Sequence, residues 1–204
     1  LWLSRFSPFK VFNMKILVLS FYFRPDLSAG SFRTTALVSA LMQRRPKDTQ
    51  IDVITTLPNR YSSFSQGAPT LEQEGGLTIE RIALPAHKSG MLDQSKAFAA
   101  YAFGALKLIR QRDYDIIYAT SSRLMTAVLG SWIARRKRLP LYLDIRDIFV
   151  DTMDDVLPKK VVCFAKPIFT FLERFAVNKA SKVNLVSEGF SDYFRSRYPK
   201  VPLS

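Results

Sequence analysis

The chain has 204 residues, with 30 Lys and Arg against 17 Asp and Glu, a formal charge of +13, and 48% hydrophobic residues. That much apolar surface offsets the entropy of ordering a chain, so disorder is excluded, and 8 Gly with 11 Pro exclude collagen-like or linker-like sequence. One cysteine, Cys163, and one histidine, His87, exclude a disulfide scaffold, a multi-cysteine zinc site and a paired-histidine metal site, and fit a reducing compartment.

No apolar run reaches the roughly 18 residues that span a bilayer. Leu1 to Asn13 reads as an upstream extension or an expression remnant. Its Trp2, Leu3, Phe6, Phe9 and Phe12 are broken up by Arg5, Pro8 and Lys10. An amphipathic membrane foot is the competing reading of that segment.

From Met14 the elements follow in order. Lys15 to Phe21 is a continuous apolar run, as in a strand covered on both faces. After a loop over Tyr22 to Ala29, Phe32, Ala36, Leu37, Ala40 and Leu41 recur at helical spacing up to Arg44-Arg45-Pro46. Ile51 to Thr55 is a second strand, residues 57–77 a long loop, and Leu77 to Leu84 a third strand. A helix follows over Asp93 to Arg112, then a strand at Asp115 to Ala119. The next helix turns Met125, Val128, Leu129, Trp132 and Ile133 inward and ends in Arg135 to Arg138, cations that suit a helix C-terminus. Leu141 to Ile145 is a strand, residues 147–179 are mostly helical, and Lys182 to Val186 is the last strand. Ser187-Glu188 starts a short closing helix.

Strand and helix alternate almost throughout. The pattern predicts an α/β fold with a doubly wound, mostly parallel sheet, in one domain over residues 14–204. Such sheets bind ligands outside the carboxyl ends of their strands. That rule selects the loops Tyr22 to Ser31, Thr56 to Arg60, Pro85 to Gly90, Thr120 to Arg123, Arg146 to Asp151 and Ser187 to Gly189, expected to converge on one crevice.

The first loop lacks G-x-G-x-x-G, and no P-loop motif occurs anywhere. Ala29, Gly30 and Ser31 still sit at a helix start, where N–H groups suit an anion, and Arg33 adds charge. An ordinary strand-to-helix turn is the plainer reading. Alternation puts Asp144 and Arg146 on one side of their strand, with Asp147 beside the next helix start. Either carboxylate can act as a general base or bind hydroxyls. The plainer reading has Asp147 capping the helix and Asp144 paired with Arg146. Ser121, Ser122 and Arg123 suit capping, or sugar and phosphate contacts. His87, in a polar loop, is either simply solvated or the one near-neutral titrating group at the crevice. Cys163, beside Phe164 and Ile168, reads as a structural core cysteine.

Basic residues cluster at Arg44-Arg45, Arg135 to Arg138, Lys159-Lys160 and Arg195 to Lys200, which together suggest an anionic partner, nucleic acid or a membrane surface. Ile168, Phe169, Phe171, Leu172 and Phe175 form a greasy stripe that reads as core or as an interfacial membrane contact.

The layout resembles the N-terminal half of a retaining family 4 glycosyltransferase of GT-B architecture. The residues that carry the resemblance are Met14-Lys-Ile-Leu-Val-Leu, Phe21-Tyr-Phe-Arg-Pro, Ala29-Gly-Ser, Tyr114-Asp-Ile-Ile-Tyr-Ala-Thr-Ser-Ser122, Tyr142-Leu-Asp-Ile-Arg-Asp147, Glu173 with Lys179-Ala-Ser-Lys-Val, and Val186-Ser-Glu-Gly-Phe190. Ala-Thr-Ser-Ser and Asp-Ile-Arg-Asp look like the subgroup that builds O-antigen and other surface polysaccharide.

The resemblance implies a Rossmann-like domain that holds the acceptor, with no cofactor and no metal, and a nucleotide-diphosphate sugar as donor. It implies Ala29, Gly30, Ser31 and Arg33 near the donor phosphates. It implies Ser121, Ser122, Arg123, Arg146 and Glu188 at the substrate, and Asp147, Asp144 and His87 as catalytic candidates. Relatives carry a His or Asp where this chain has Ser121 and Ser122. The family's Glu-x7-Glu donor motif has no counterpart before Ser204, so a donor-binding C-terminal domain is expected to be missing in cis and this half to be inactive by itself. The implied acceptor is a lipid-linked or polysaccharide glycan at an anionic, cytoplasmic membrane face. The alternatives are a basic α/β module that binds nucleic acid or membrane without catalysis, another GT-B-shaped nucleotide-sugar enzyme such as an epimerase, and a scaffold that has lost catalysis.

Overall fold

The computed structural model describes residues 13–59, 67–85, 91–121, 123–150 and 159–204. The side chains of residues 91, 92, 159–161, 163 and 164 fall outside this description, as do His87, Ser122 and the segment 1–12. The core reading of Cys163 therefore lies outside the described side chains.

The elements are β1 (Lys15–Leu19), α1 (Ala29–Arg44), β2 (Gln50–Thr56), β3 (Leu71–Glu74), β4 (Leu77–Ile82), α2 (Met91–Ile109), β5 (Ile116–Thr120), α3 (Leu124–Lys137), β6 (Leu141–Ile145), α4 (Lys159–Val177), β7 (Lys182–Leu185) and α5 (Ser191–Arg197), with a 3-10 turn at Glu188–Phe190. The strands form one seven-stranded sheet in the order β3-β4-β2-β1-β5-β6-β7. β2 and β4 are parallel, as are β5, β6 and β7, whereas β3 is antiparallel to β4. The expected mostly parallel α/β sheet is what forms, and without β3 its order is that of a doubly wound Rossmann-like sheet.

The chain divides into two compact units, one holding residues up to Val18 and Tyr22–Asp115, the other Leu19–Phe21 and Ile116–Ser204. In the first unit the core lies on β2 and β4. Ile51, Val53, Ile54 and Ile79 are buried there, and α2 adds Ala97, Tyr101, Ala105 and Ile109, spaced by four along one face. Tyr101 is fully buried, and its hydroxyl donates to the Ile54 carbonyl at 3.0 Å, which removes the penalty of burying it. In the same unit, Arg112 bonds both oxygens of Glu80, and Tyr114 donates to Asp52 at 2.9 Å. The hydrogen bond to Glu80 leads in raising the Arg112 pKa. Burial, then the Asp52 charge, raises that of Tyr114.

β3 corrects the expected loop over residues 57–77. Glu74 pairs with Leu77 across Gly75-Gly76, both at positive φ (53° and 87°), as a two-residue hairpin with a type I′ turn requires. The strand reads Leu-Glu-Gln-Glu and is largely exposed, so neither alternation nor apolar content announces it. Its charges suit a sheet edge.

Two helix faces also differ from expectation. α1 buries Ser31, Thr34 and Val38, while Phe32 is 60% exposed. α3 buries Ala127, Gly130, Ser131 and Ala134 with Leu129 and Ile133, and Trp132 lies on the outer side beneath the Arg136 guanidinium, 5.6 Å from the ring. Small residues win the α3 face because that helix lies close to the sheet. A Cβ on Gly130 would stand 2.7 Å from that of Ala119 in β5.

In the second unit, buried Ile117, Leu141, Leu143 and Val183 build the sheet core. α4 joins α3 through Phe175, whose carbonyl accepts from Ser131 and Arg135. Glu173 of α4 is 3% exposed and accepts from the Tyr198 hydroxyl at 2.8 Å and the Tyr193 hydroxyl at 3.1 Å, fastening α5 to α4. Burial first, then the Glu173 charge, holds Tyr198 well above the ordinary tyrosine pKa. Leu203 bridges Val183 and covers the outer edge of β7.

Candidate functional site

In the first unit the chain leaves β1 through residues 22–28 and enters α1. Ser28 caps the helix: its hydroxyl accepts from the Ser31 N–H at 3.1 Å, and its carbonyl accepts from Phe32 N–H at 3.0 Å. One donor of the anticipated anion site, the Ser31 N–H, is thus satisfied within the turn. Ser31 is buried, Gly30 half-buried, and Ala29 and Arg33 exposed.

The loop before the cap is braced from the sheet side. The Arg81 side chain, 1% exposed, ion-pairs with Glu72 at 2.8 Å and donates to the carbonyls of Pro69 and Arg24, each at 2.9 Å. Buried Asp26 accepts from the Asn59 N–H at 3.3 Å. The sequence reading missed Ser28, Asp26 and Arg81. Arg81 had a signal: it shares the inward register of Leu77 and Ile79 along β4.

In the second unit, parallel pairing of β5, β6 and β7 brings their carboxyl ends to one edge. Ser121, Asp144, Arg146 and Asn184 meet there. Asp144 is 1% exposed and accepts from Arg146 Nε at 3.1 Å and from Asn184 Nδ2 at 2.6 Å. The Ser121 hydroxyl accepts from the Arg146 N–H at 3.0 Å, and Ser121 N–H donates to the Asp144 carbonyl at 2.8 Å. Arg146 is therefore held through both side chain and backbone. Asp144 thus engages both of its oxygens in holding Arg146 and Asn184.

Asp147 projects from the same turn, is exposed, and makes no ion pair among the described residues. Arg123 opens α3 without a side-chain cap, and its guanidinium lies 4.3 Å from the centroid of the Phe21 ring. Glu188 is exposed at the start of the 3-10 turn, where Ser187 Oγ accepts from Gly189 N–H at 3.3 Å. The structure thus gathers Ser121, Asp144 and Arg146 at one edge and adds Asn184, which sequence reasoning missed. Nothing in a four-residue strand marks one Asn as the partner of an aspartate 40 positions earlier. His87 and Ser122 lie outside the described residues. Among the described residues no three His, Cys, Asp or Glu side chains gather as a metal site, and no helix is long and apolar enough to cross a membrane.

Comparison with known structures gives a consistent result for the fold. A sucrose-phosphate synthase structure from Thermosynechococcus elongatus superposes with a TM-score of 0.63 at 11% identity, over 93% of this chain and 86% of that one. UGT2 of Phytolacca americana, complexed with UDP-2fluoro-glucose and pterostilbene, superposes with a TM-score of 0.52 at 11% identity. That match covers 93% of this chain and 51% of the plant protein, so the chain spans about half of that relative's length. No protein of curated function matches the sequence. The family model described as a glycosyl transferase 4-like domain matches residues 30–202, nearly the whole described chain, and the protein therefore belongs to the glycosyl transferase 4-like family.

Proposed function

We propose that this domain holds the acceptor in a retaining, metal-independent transfer of a sugar from a nucleotide-diphosphate donor to a lipid-linked or polysaccharide glycan of the O-antigen type, at the cytoplasmic face of a membrane. The observation that carries the reading is the family match over residues 30–202, joined to a fixed cation, Arg146, at the carboxyl edge of β5 to β7. Arg123 and Arg146 there suit a phosphate-linked acceptor, because a guanidinium bonds phosphate oxygens in pairs. Ser121 and Glu188 offer a hydroxyl and a carboxylate for sugar hydroxyls. Asp147 is an exposed carboxylate of this edge and takes the general-base role in this reading, and Asp144 acts by holding Arg146. In the first unit, the turn at Ala29, Gly30 and Ser31 with Arg33 faces the donor phosphates. A second domain supplies most of the donor contacts, and positive charge developing on the sugar is stabilised electrostatically.

The test is titration of the chain with a soluble short-chain prenyl-diphosphate-linked sugar, followed by NMR. Binding of the diphosphate-linked sugar, absence of binding by the same sugar without diphosphate, and a several-fold loss in Arg123→Ala support the reading. Equal affinity for both sugars refutes it. In a protein that joins this domain to a donor-binding domain, Asp147→Asn should lower kcat with little change in donor KM. The +13 charge favours one second reading, a basic module that binds nucleic acid without catalysis. Tight, steeply salt-dependent binding of oligonucleotides would select it.

A further inference from the structure

α4 carries an apolar and cationic outer face. Ile168 and Phe171, one turn apart, are 60% and 66% exposed. Beside them runs a groove of about 520 Å³ lined by Val162, Lys166, Pro167, Thr170, Phe171 and Arg174. The only carboxylate in the helix, Glu173, points the other way, buried beneath Tyr193 and Tyr198. α3 adds further cationic charge at this helix, since Arg135 lies 4.3 Å over the Phe175 ring.

A helix that turns its one acid inward and leaves large apolar groups beside cations outward is complementary to a surface that is greasy and negative together. We infer that the α4 face docks on the surface of an anionic phospholipid bilayer, with Ile168 and Phe171 entering the headgroup boundary and Lys166 and Arg174 reaching up to lipid phosphates. The helix lies in the plane of the membrane and does not cross it. This rests on the membrane placement within the proposed function and deepens it by naming the face that docks.

The experiment is flotation of the whole chain with phosphatidylglycerol-containing vesicles and with pure phosphatidylcholine vesicles. The chain is expected to float with the former only. Ile168→Ser with Phe171→Ser should lower partitioning at least about tenfold, from the lost apolar burial. Lys166→Glu with Arg174→Glu should lower it by a similar or larger factor, from the lost attraction to anionic lipid. Ile168, Phe171 and Arg174 are exposed and Lys166 is half-buried, so unchanged thermal unfolding should confirm that the variants fold. Flotation of both variants at the parent level, equal binding to neutral vesicles, or failure of the parent to float overturns the inference. So does a parent dimer in sedimentation that Phe171→Ser dissolves, which would make the face a contact between copies. Acceptor titration without vesicles is unaffected by the outcome, so loss of docking and loss of the glycosyl-transfer reading remain separate results.

Discussion

Replacing Asp144 by Asn changes one atom in a place where two donors already compete for two oxygens. The carboxylate is 1% exposed and accepts from Arg146 Nε and Asn184 Nδ2. An amide has one oxygen, so one of those donors would meet an NH2 group. Asn184 can turn its own amide and recover its bond. Arg146 cannot, and its side chain, 9% exposed, would keep its charge with the carboxylate gone. Removing one partner of a buried pair costs about 3–5 kcal/mol, and the bond that Asn retains puts the expectation at the lower end, about 3 kcal/mol. Arg146→Met strands the carboxylate instead and should cost a similar amount. The double variant strands neither charge. Its loss should therefore fall short of the summed single losses by about 2 kcal/mol, within the range measured for residues in one network. Urea unfolding followed by circular dichroism measures all three. A loss below about 0.5 kcal/mol for Asp144→Asn, or additivity within about 0.5 kcal/mol, would refute the view of this edge as an arginine-fixing device.

Four further outcomes are expected. Gly130→Ala places a methyl 2.7 Å from the Ala119 Cβ, which cannot swing away; the overpacking should outweigh the gain in helix propensity and lower stability by about 1–2 kcal/mol, read as a drop in Tm. Gly104→Ala brings a methyl to 2.9 Å from both Cγ2 and Cδ1 of Ile82, a β-branched side chain that is stiff at χ1, so it should also lower Tm. Tyr198 and Tyr114 are held protonated above their unfolded pKa of about 10, so their contribution is complete below pH 10 and is lost as pH rises beyond it. The urea midpoint should fall steeply above pH 10, and Tyr198→Phe should flatten that fall. Arg81→Met removes the brace on residues 22–28; amide exchange in that loop should quicken while exchange in β6 and β7 stays unchanged, and equal protection in both proteins would contradict the bracing role.

The strand and helix order of this chain was legible because apolar runs such as Ile16 to Leu19 and Leu141 to Ile145 have one local reading, and each is bounded by turn residues or charge. The parallel sheet followed from that alternation, and the family resemblance followed from the residues at the strand ends. The pairing of Asp144 with Arg146 was also within reach, since residues two apart on a strand share a face. Other features depended on distance in space. Trp132 and Phe32 are apolar and helically spaced, yet they face outward; α3 approaches the sheet too closely for a large side chain and buries Gly130 instead, and α1 buries Ser31 and Thr34. β3 is too polar to announce itself, and it exists because β4 offers an open edge. Asn184 becomes the partner of Asp144 only when β6 and β7 lie side by side. Sequence periodicity reports what a segment is able to bury, whereas strand order and the depth of each helix decide which neighbour does the burying. Only the folded sheet sets those two quantities.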